Sequence, residues 1–125
     1  MKKFEERKKE LDNAIKKLKE GLLEEQDELR VDGILRRFRI AFELSWKCMK
    51  DFLEENKIAY NIESPRIILK LAFEHKLIDN EEKWIEMMLA RNNLSHMYDE
   101  STSRKIYTKI KEEYMELLEN LQKKI

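Results

Sequence analysis

The stretch "VDGILRRFRIAFELSWKCMKDFLEE", residues 31–55, carries the strongest structural signal in the chain. Its apolar residues recur at the spacings of one helix face. They form a single wide stripe: Val31, Ile34, Leu35, Phe38, Ala41, Phe42, Ser45, Trp46, Met49, Phe52 and Leu53. A helix over roughly residues 29–56 would be about 40 Å long. The width and aromatic content of the stripe predict that this helix lies at the centre of the fold.

Apolar spacing predicts further helices on both sides of this one. A first helix covers roughly residues 2–24, and a last helix starts after a cap at Asp99 or Ser101 and continues to the end of the chain. Between them, Ser64 followed by Pro65 is typical of a helix start. This short helix ends near residues 75–77, and its predicted inward residues are Ile67, Ile68, Leu71 and Ala72.

A further helix opens at "DNEEKW", residues 79–84. Asp79 and Glu82 have the spacing of a capping box, and Asn80 is the alternative cap. The predicted buried face of this helix is Trp84, Ile85, Met88 and Leu89. We expect it to loosen around residues 94–98.

Composition supports an all-α fold. The 125 residues include only 2 glycines and 1 proline, and 42% of them are charged. Such a chain fits a helical bundle with charged outer faces, on which carboxylates lie in solvent opposite lysines. We predict an up-and-down four-helix bundle with an additional short helix, in a single domain over residues 1–125.

Charge and cysteine content exclude several classes of function. The formal net charge is +0, which is unlike a protein that binds nucleic acid nonspecifically, so we expect no DNA partner. The single cysteine, Cys48, cannot form an internal disulfide and fits a reducing cytoplasm. We expect no signal peptide and no membrane-spanning segment. Neither a metal site nor a cofactor is expected, because histidine and cysteine lack ligand spacing and no glycine-rich phosphate loop occurs.

The candidate site is "RNNLSHMYDE", residues 91–100. Arg91 offers a planar charged fork suited to phosphate oxygens, and His96 can exchange a proton near neutral pH. On a regular helix, five residues turn the side chain about 140° out of phase, so the two groups converge only if the helix unwinds between them. A triad of Ser95, His96 and Asp99 is discounted because such near neighbours do not point at one another. The residues alone also fit a structural reading, in which Arg91 stabilises a helix C-terminus and His96 is polar surface.

"RNNLSHMY" resembles the Arg-x4-His-x-Tyr motif of the HEPN superfamily, and in particular its HepT-like group, which overlaps the nucleotidyltransferase substrate-binding protein family. Three more segments resemble this group in the same order: "FRIAFELSWKCMKDFLEE", "ESPRIILKLAFEHKLID" and the stretch from Trp84 to the motif. The likeness covers roughly residues 30–120.

The resemblance implies a homodimeric helical bundle in which the two motifs share a cleft. It implies a toxin of a toxin–antitoxin system: a metal-independent endoribonuclease, neutralised by a minimal nucleotidyltransferase that adenylylates it. Arg91 would stabilise the phosphate, His96 would be the general acid/base, Asn92 would orient the pair, and Tyr98 would be the adenylylated residue. Other members of the group are regarded as non-catalytic substrate-binding subunits of a nucleotidyltransferase, and the resemblance leaves both roles open.

Overall fold

The computed structural model describes residues 2–24, 27–94 and 100–125. Helix α1 covers Lys2–Leu22, α2 covers Glu28–Glu55, α3 covers Pro65–Glu74 and α4 covers Glu81–Asn93. Helix α5, Glu100–Lys109, continues through a π-helical segment, Ile110–Tyr114, into α6, Met115–Lys124. With these last three elements counted as one helix, the described residues form four longer helices and the short α3. The predicted all-α fold is confirmed.

Helix α2 lies at the centre, as predicted, because it contacts α1, α3, α4, α5 and α6. Asp27 caps its start, where the side chain accepts a hydrogen bond from the Arg30 backbone N–H at 2.8 Å. Every residue of the predicted stripe is buried except Phe52, which is half-buried. A helix surrounded in this way can serve as the frame on which the other helices position their side chains.

One acidic residue departs from the prediction that carboxylates lie on solvated faces. Asp51 is only 2% exposed, and its Oδ2 accepts a hydrogen bond from Arg7 Nε of α1 at 3.0 Å. A buried carboxylate needs such a partner. This ion pair therefore fixes α1 against α2 at the end of α2 that lies away from the candidate site.

The predicted inward faces of α3 and α4 are partly wrong. Ile67 is 50% exposed and Leu69 is fully buried in its place, because the buried arc of α3 is centred on Ala72. In α4 the buried residues are Trp84, Met87 and Met88, whereas Leu89 is 48% exposed. Asn80, rather than Asp79, caps this helix: its side chain accepts a hydrogen bond from the Lys83 backbone N–H at 3.1 Å.

The π-helical segment joins the last helix to both α2 and α4. The Tyr114 ring stacks on Phe38 of α2 with ring centroids 5.6 Å apart, and its hydroxyl donates to Glu86 Oε2 of α4 at 2.7 Å. Burial, and then the Glu86 carboxylate, raise the pKa of Tyr114, so the phenol stays protonated and remains a donor. These contacts set the position of α4 against the central helix.

Within the described ranges, no helix combines the length and the apolar character that crossing a membrane requires.

Candidate functional site

Arg91 lies on the core-facing side of α4. It follows Trp84 by seven residues, which is close to two full helical turns, so both side chains project from the same side of the helix. Trp84 is 1% exposed, and the side chain of Arg91 is 21% exposed. A guanidinium on the buried stripe of an amphipathic helix needs compensating partners, because burying a charge is costly.

Two residues of α2 hold the guanidinium. Its Cζ lies 5.1 Å from the centroid of the Phe42 ring, which is within the range of a cation–π contact. Its Nη1 lies 3.7 Å from Glu43 Oε1, so the two charges form an ion pair. Arg91 Nε is buried and has no hydrogen-bond partner among the described residues. The contacts with Phe42 and Glu43 therefore orient the guanidinium.

Glu43 is itself held in place. Its Oε2 accepts a hydrogen bond from the indole Nε1 of Trp46 at 2.7 Å, one turn further along α2. Trp46 is buried, as predicted, and in addition it directs this carboxylate. On the other side, Phe42 packs against Trp84 with ring centroids 6.2 Å apart. Contacts from two helices thus determine where Arg91 points.

Arg91 opens into a pocket of about 350 Å³ lined by Arg36, Arg39, Ile40, Glu43 and Arg91. Among the described residues, its lining holds three arginines and one carboxylate, so this lining is positive although the formal net charge of the whole chain is +0. Arg36 and Arg39 also line a neighbouring pocket of about 200 Å³ together with Asp32, Leu35, Leu94 and Ser103. Leu94 is the last described residue before residues 95–99, so the chain leaves the described part beside these pockets.

Of the predicted site residues, the structure describes Arg91 and Asn92. Arg91 is in the last turn of α4, which ends at Asn93. Asn92 is exposed, and its side chain has no hydrogen bond to another described residue. His96 and Tyr98 lie outside the described residues, as do Ser95 and Asp99, so the convergence of Arg91 with His96 stays a prediction.

Sequence reasoning missed Arg36, Arg39 and Glu43. The segment "RRFRIAFE", residues 36–43, shows the charges, and the i, i+3 and i+7 spacing puts these three residues on one side of α2. What it does not show is that the end of α4 brings Arg91 to that side.

Cys48 has no part in this site. It is fully buried, and burial raises the pKa of its thiol to about 12, so the reactive thiolate is absent at neutral pH.

Comparison with known proteins places the chain in a family. Residues 2–125 match the model of the family described as nucleotidyltransferase substrate binding protein like. The chain belongs to this family. It is 32% identical over 108 residues to a Haemophilus influenzae protein named "Probable ribonuclease HepT", covering 79% of this chain and 71% of that protein. The resemblance to the HepT-like group is confirmed by these matches.

Two solved structures share the fold. A crystal structure of a Thermus thermophilus protein superposes with a TM-score of 0.81 at 27% identity, covering 89% of this chain and 94% of that one. A Haemophilus influenzae structure, described as revealing the fold of a substrate binding domain of a nucleotidyltransferase, gives 0.75 at 24% identity, covering 90% and 94%.

Proposed function

We propose that this protein is the toxin of a toxin–antitoxin pair and acts as a metal-independent endoribonuclease. The observation that carries the proposal is Arg91, a charged side chain held on the core-facing side of α4 by Phe42 and Glu43 and opening into a positive pocket. A guanidinium oriented in this way is suited to binding a phosphate, because its planar fork of N–H donors matches the phosphate oxygens. The relative named as a probable ribonuclease supports RNA as the source of that phosphate.

In the proposed reaction the ribose 2′-hydroxyl attacks the adjacent phosphorus. The bond from O2′ to phosphorus forms while the bond from phosphorus to O5′ breaks, giving a 2′,3′-cyclic phosphate and a 5′-hydroxyl. One His96 takes the proton of the 2′-hydroxyl, and the His96 of a second copy in a homodimer donates a proton to the leaving O5′. Arg91 stabilises the negative charge that builds up on the phosphate oxygens.

Chain length supports this pairing of Arg91 with His96. His96 follows Leu94, which lines the neighbouring pocket, by two residues. Two residues of chain span at most about 7 Å, so the proposal requires the chain to turn toward these pockets within that distance of Leu94.

The proposed partner is a minimal nucleotidyltransferase, which blocks the toxin by transferring an adenylyl group from ATP to Tyr98. The bond from the phenol oxygen to the α-phosphorus forms, the bond from that phosphorus to the β-phosphate breaks, pyrophosphate leaves, and the phenolic proton passes to solvent. Tyr98 is two residues from His96, so the added group would occupy the site and place a further negative charge beside it. Intact mass after co-expression with an active partner tests this step. The adduct should be absent from Tyr98→Phe, and its persistence in that variant would place the modification elsewhere.

A second candidate function is a non-catalytic substrate-binding subunit of a nucleotidyltransferase. The description of the family supports it, and so does that of the second structural neighbour. A phosphate of a bound nucleotide would suit the same arginines.

Expression in a bacterial host separates the two functions. Wild type expressed alone should arrest growth, co-expression with the nucleotidyltransferase encoded beside it should restore growth, and His96→Ala should be harmless. Normal growth in the presence of abundant, folded wild-type protein would favour the binding subunit.

A further inference from the structure

Arg36 and Arg39 are exposed cations that have no partner within the described part of the chain. They project from the same side of α2, three residues apart, which is about 4.5 Å along the helix axis. Three other arginines are engaged in structural contacts, since Arg7 pairs with Asp51, Arg30 pairs with Glu24, and Arg37 donates to the Lys17 carbonyl, whereas the exposed Arg66 and Arg104 line neither arginine pocket. Among the described residues no acidic group pairs with Arg36 or Arg39, so both can contact a ligand in these pockets.

Their placement relative to Arg91 indicates the kind of ligand. Arg36, Arg39 and Arg91 line one recessed pocket, and the first two extend the positive surface into the neighbouring pocket. Ile40, which is 45% exposed, adds an apolar surface between them. A row of cations next to an apolar side chain suits a single nucleic-acid strand, whose phosphates and bases alternate.

We propose that Arg36 and Arg39 form a phosphate-binding subsite for single-stranded RNA, which holds backbone phosphates next to the one bound by Arg91. The choice of RNA rests on the proposed function, whereas the presence of an anion-binding row rests on the pocket itself. The subsite supplies the local positive charge that a neutral chain needs to bind a polyanion. It positions the strand so that the scissile phosphate reaches Arg91.

The test is the salt dependence of RNA binding. A fluorescently labelled single-stranded RNA of mixed sequence is titrated at several KCl concentrations, with fluorescence anisotropy as the readout. All proteins carry His96→Ala so that the RNA is not cut. For a single strand, log K falls with log salt by about 0.7 for each phosphate contacted. The double variant R36Q/R39Q should therefore lower the slope by between about 0.7 and 1.4, for one or two lost phosphate contacts.

Two matched variants control for net charge and for folding. K9Q/K16Q removes the same charge from exposed positions of α1, a helix that lines neither pocket, and should keep the wild-type slope. R36K/R39K keeps the charge and should retain most of the slope. An unchanged slope in R36Q/R39Q, or an equal loss in K9Q/K16Q, would overturn the proposal. The proposal would also be overturned if these arginines bound ATP or an acidic partner protein but did not bind RNA.

Failure of this subsite and failure of the proposed function give different results. If the protein with His96 intact cleaves RNA while R36Q/R39Q leaves the salt dependence of RNA binding unchanged, only the proposed subsite is wrong. If the slope responds as expected but the protein with His96 intact never cleaves RNA, the subsite stands and the nuclease function is wrong.

Discussion

The ion pair between Glu43 and Arg91 leads to a prediction about how the site is oriented. Glu43→Gln removes the charge that faces Arg91 Nη1 at 3.7 Å, yet a glutamine oxygen can still accept the hydrogen bond from Trp46. The change therefore leaves the packing intact and releases the guanidinium. In the proposed reaction Glu43 would act through Arg91, as a positioning residue.

The magnitude follows from the exposure of the pair. The side chains are 21% and 37% exposed, so water screens much of the attraction. Such a pair contributes about 0.5–1 kcal/mol to the free energy of unfolding. If loss of the ion pair raises the free energy of the transition state by a similar amount, kcat for RNA cleavage falls by up to about 5-fold. KM should stay the same or fall, because a negative charge beside the bound phosphate has been removed.

Steady-state cleavage of a labelled RNA and urea unfolding measure these two effects. Glu119→Gln is the matched control: it breaks an ion pair with Lys19 at 2.8 Å between α6 and α1, and Glu119 lines neither arginine pocket. The control should lose a comparable amount of stability and keep the wild-type kcat. A wild-type kcat in Glu43→Gln, or an increased KM with kcat unchanged, would refute the positioning role.

Three further predictions concern the fold. Trp84→Ala should lower the free energy of unfolding by about 3–5 kcal/mol, because the ring is 1% exposed and supports Phe42, whereas Phe73→Ala, at a site 42% exposed, should cost far less in the same urea titration. Cys48 should resist a thiol reagent in the native protein and react after unfolding. Because its pKa is about 12 in the folded protein and 9.0 in the unfolded chain, the unfolded chain loses the proton first. The free energy of unfolding should therefore fall as the pH rises above 9.0, and Cys48→Ala should lack this contribution. Ser64→Ala removes the side chain that accepts from the Ile67 N–H at the start of α3 and should cost about 1 kcal/mol in thermal unfolding, and no change would mean that Pro65 alone starts the helix.

The helices could be predicted from the sequence where one apolar face dominates. The stripe of α2 is wide and aromatic, so both its extent and its central position were readable. Ile67 and Leu89 were misplaced because each helix has apolar residues on more than one side, and only the neighbouring helices decide which side is buried. The π-helical segment at Ile110–Tyr114 left no signal in the apolar spacing.

The candidate site was predictable only in part, because its contacts depend on how the helices pack together. Arg91 could be singled out from the motif, and its position seven residues after Trp84 places it on the buried stripe. Its contacts with Phe42 and Glu43 depend on how α4 packs on α2, which the sequence pattern does not show. His96, Tyr98 and the homodimer remain predictions, whose support is the motif and the family.

RNA cleavage by purified protein tests the central proposal most directly. Wild type is compared with Arg91→Ala, His96→Ala and, as the control, Arg66→Ala, which removes an exposed arginine of α3 that lines neither arginine pocket. Wild type and Arg66→Ala should cut single-stranded RNA in the presence of a metal chelator. Loss of His96 or Arg91 should slow the reaction by about 100-fold or more. Undiminished cleavage by both Arg91→Ala and His96→Ala would contradict the account.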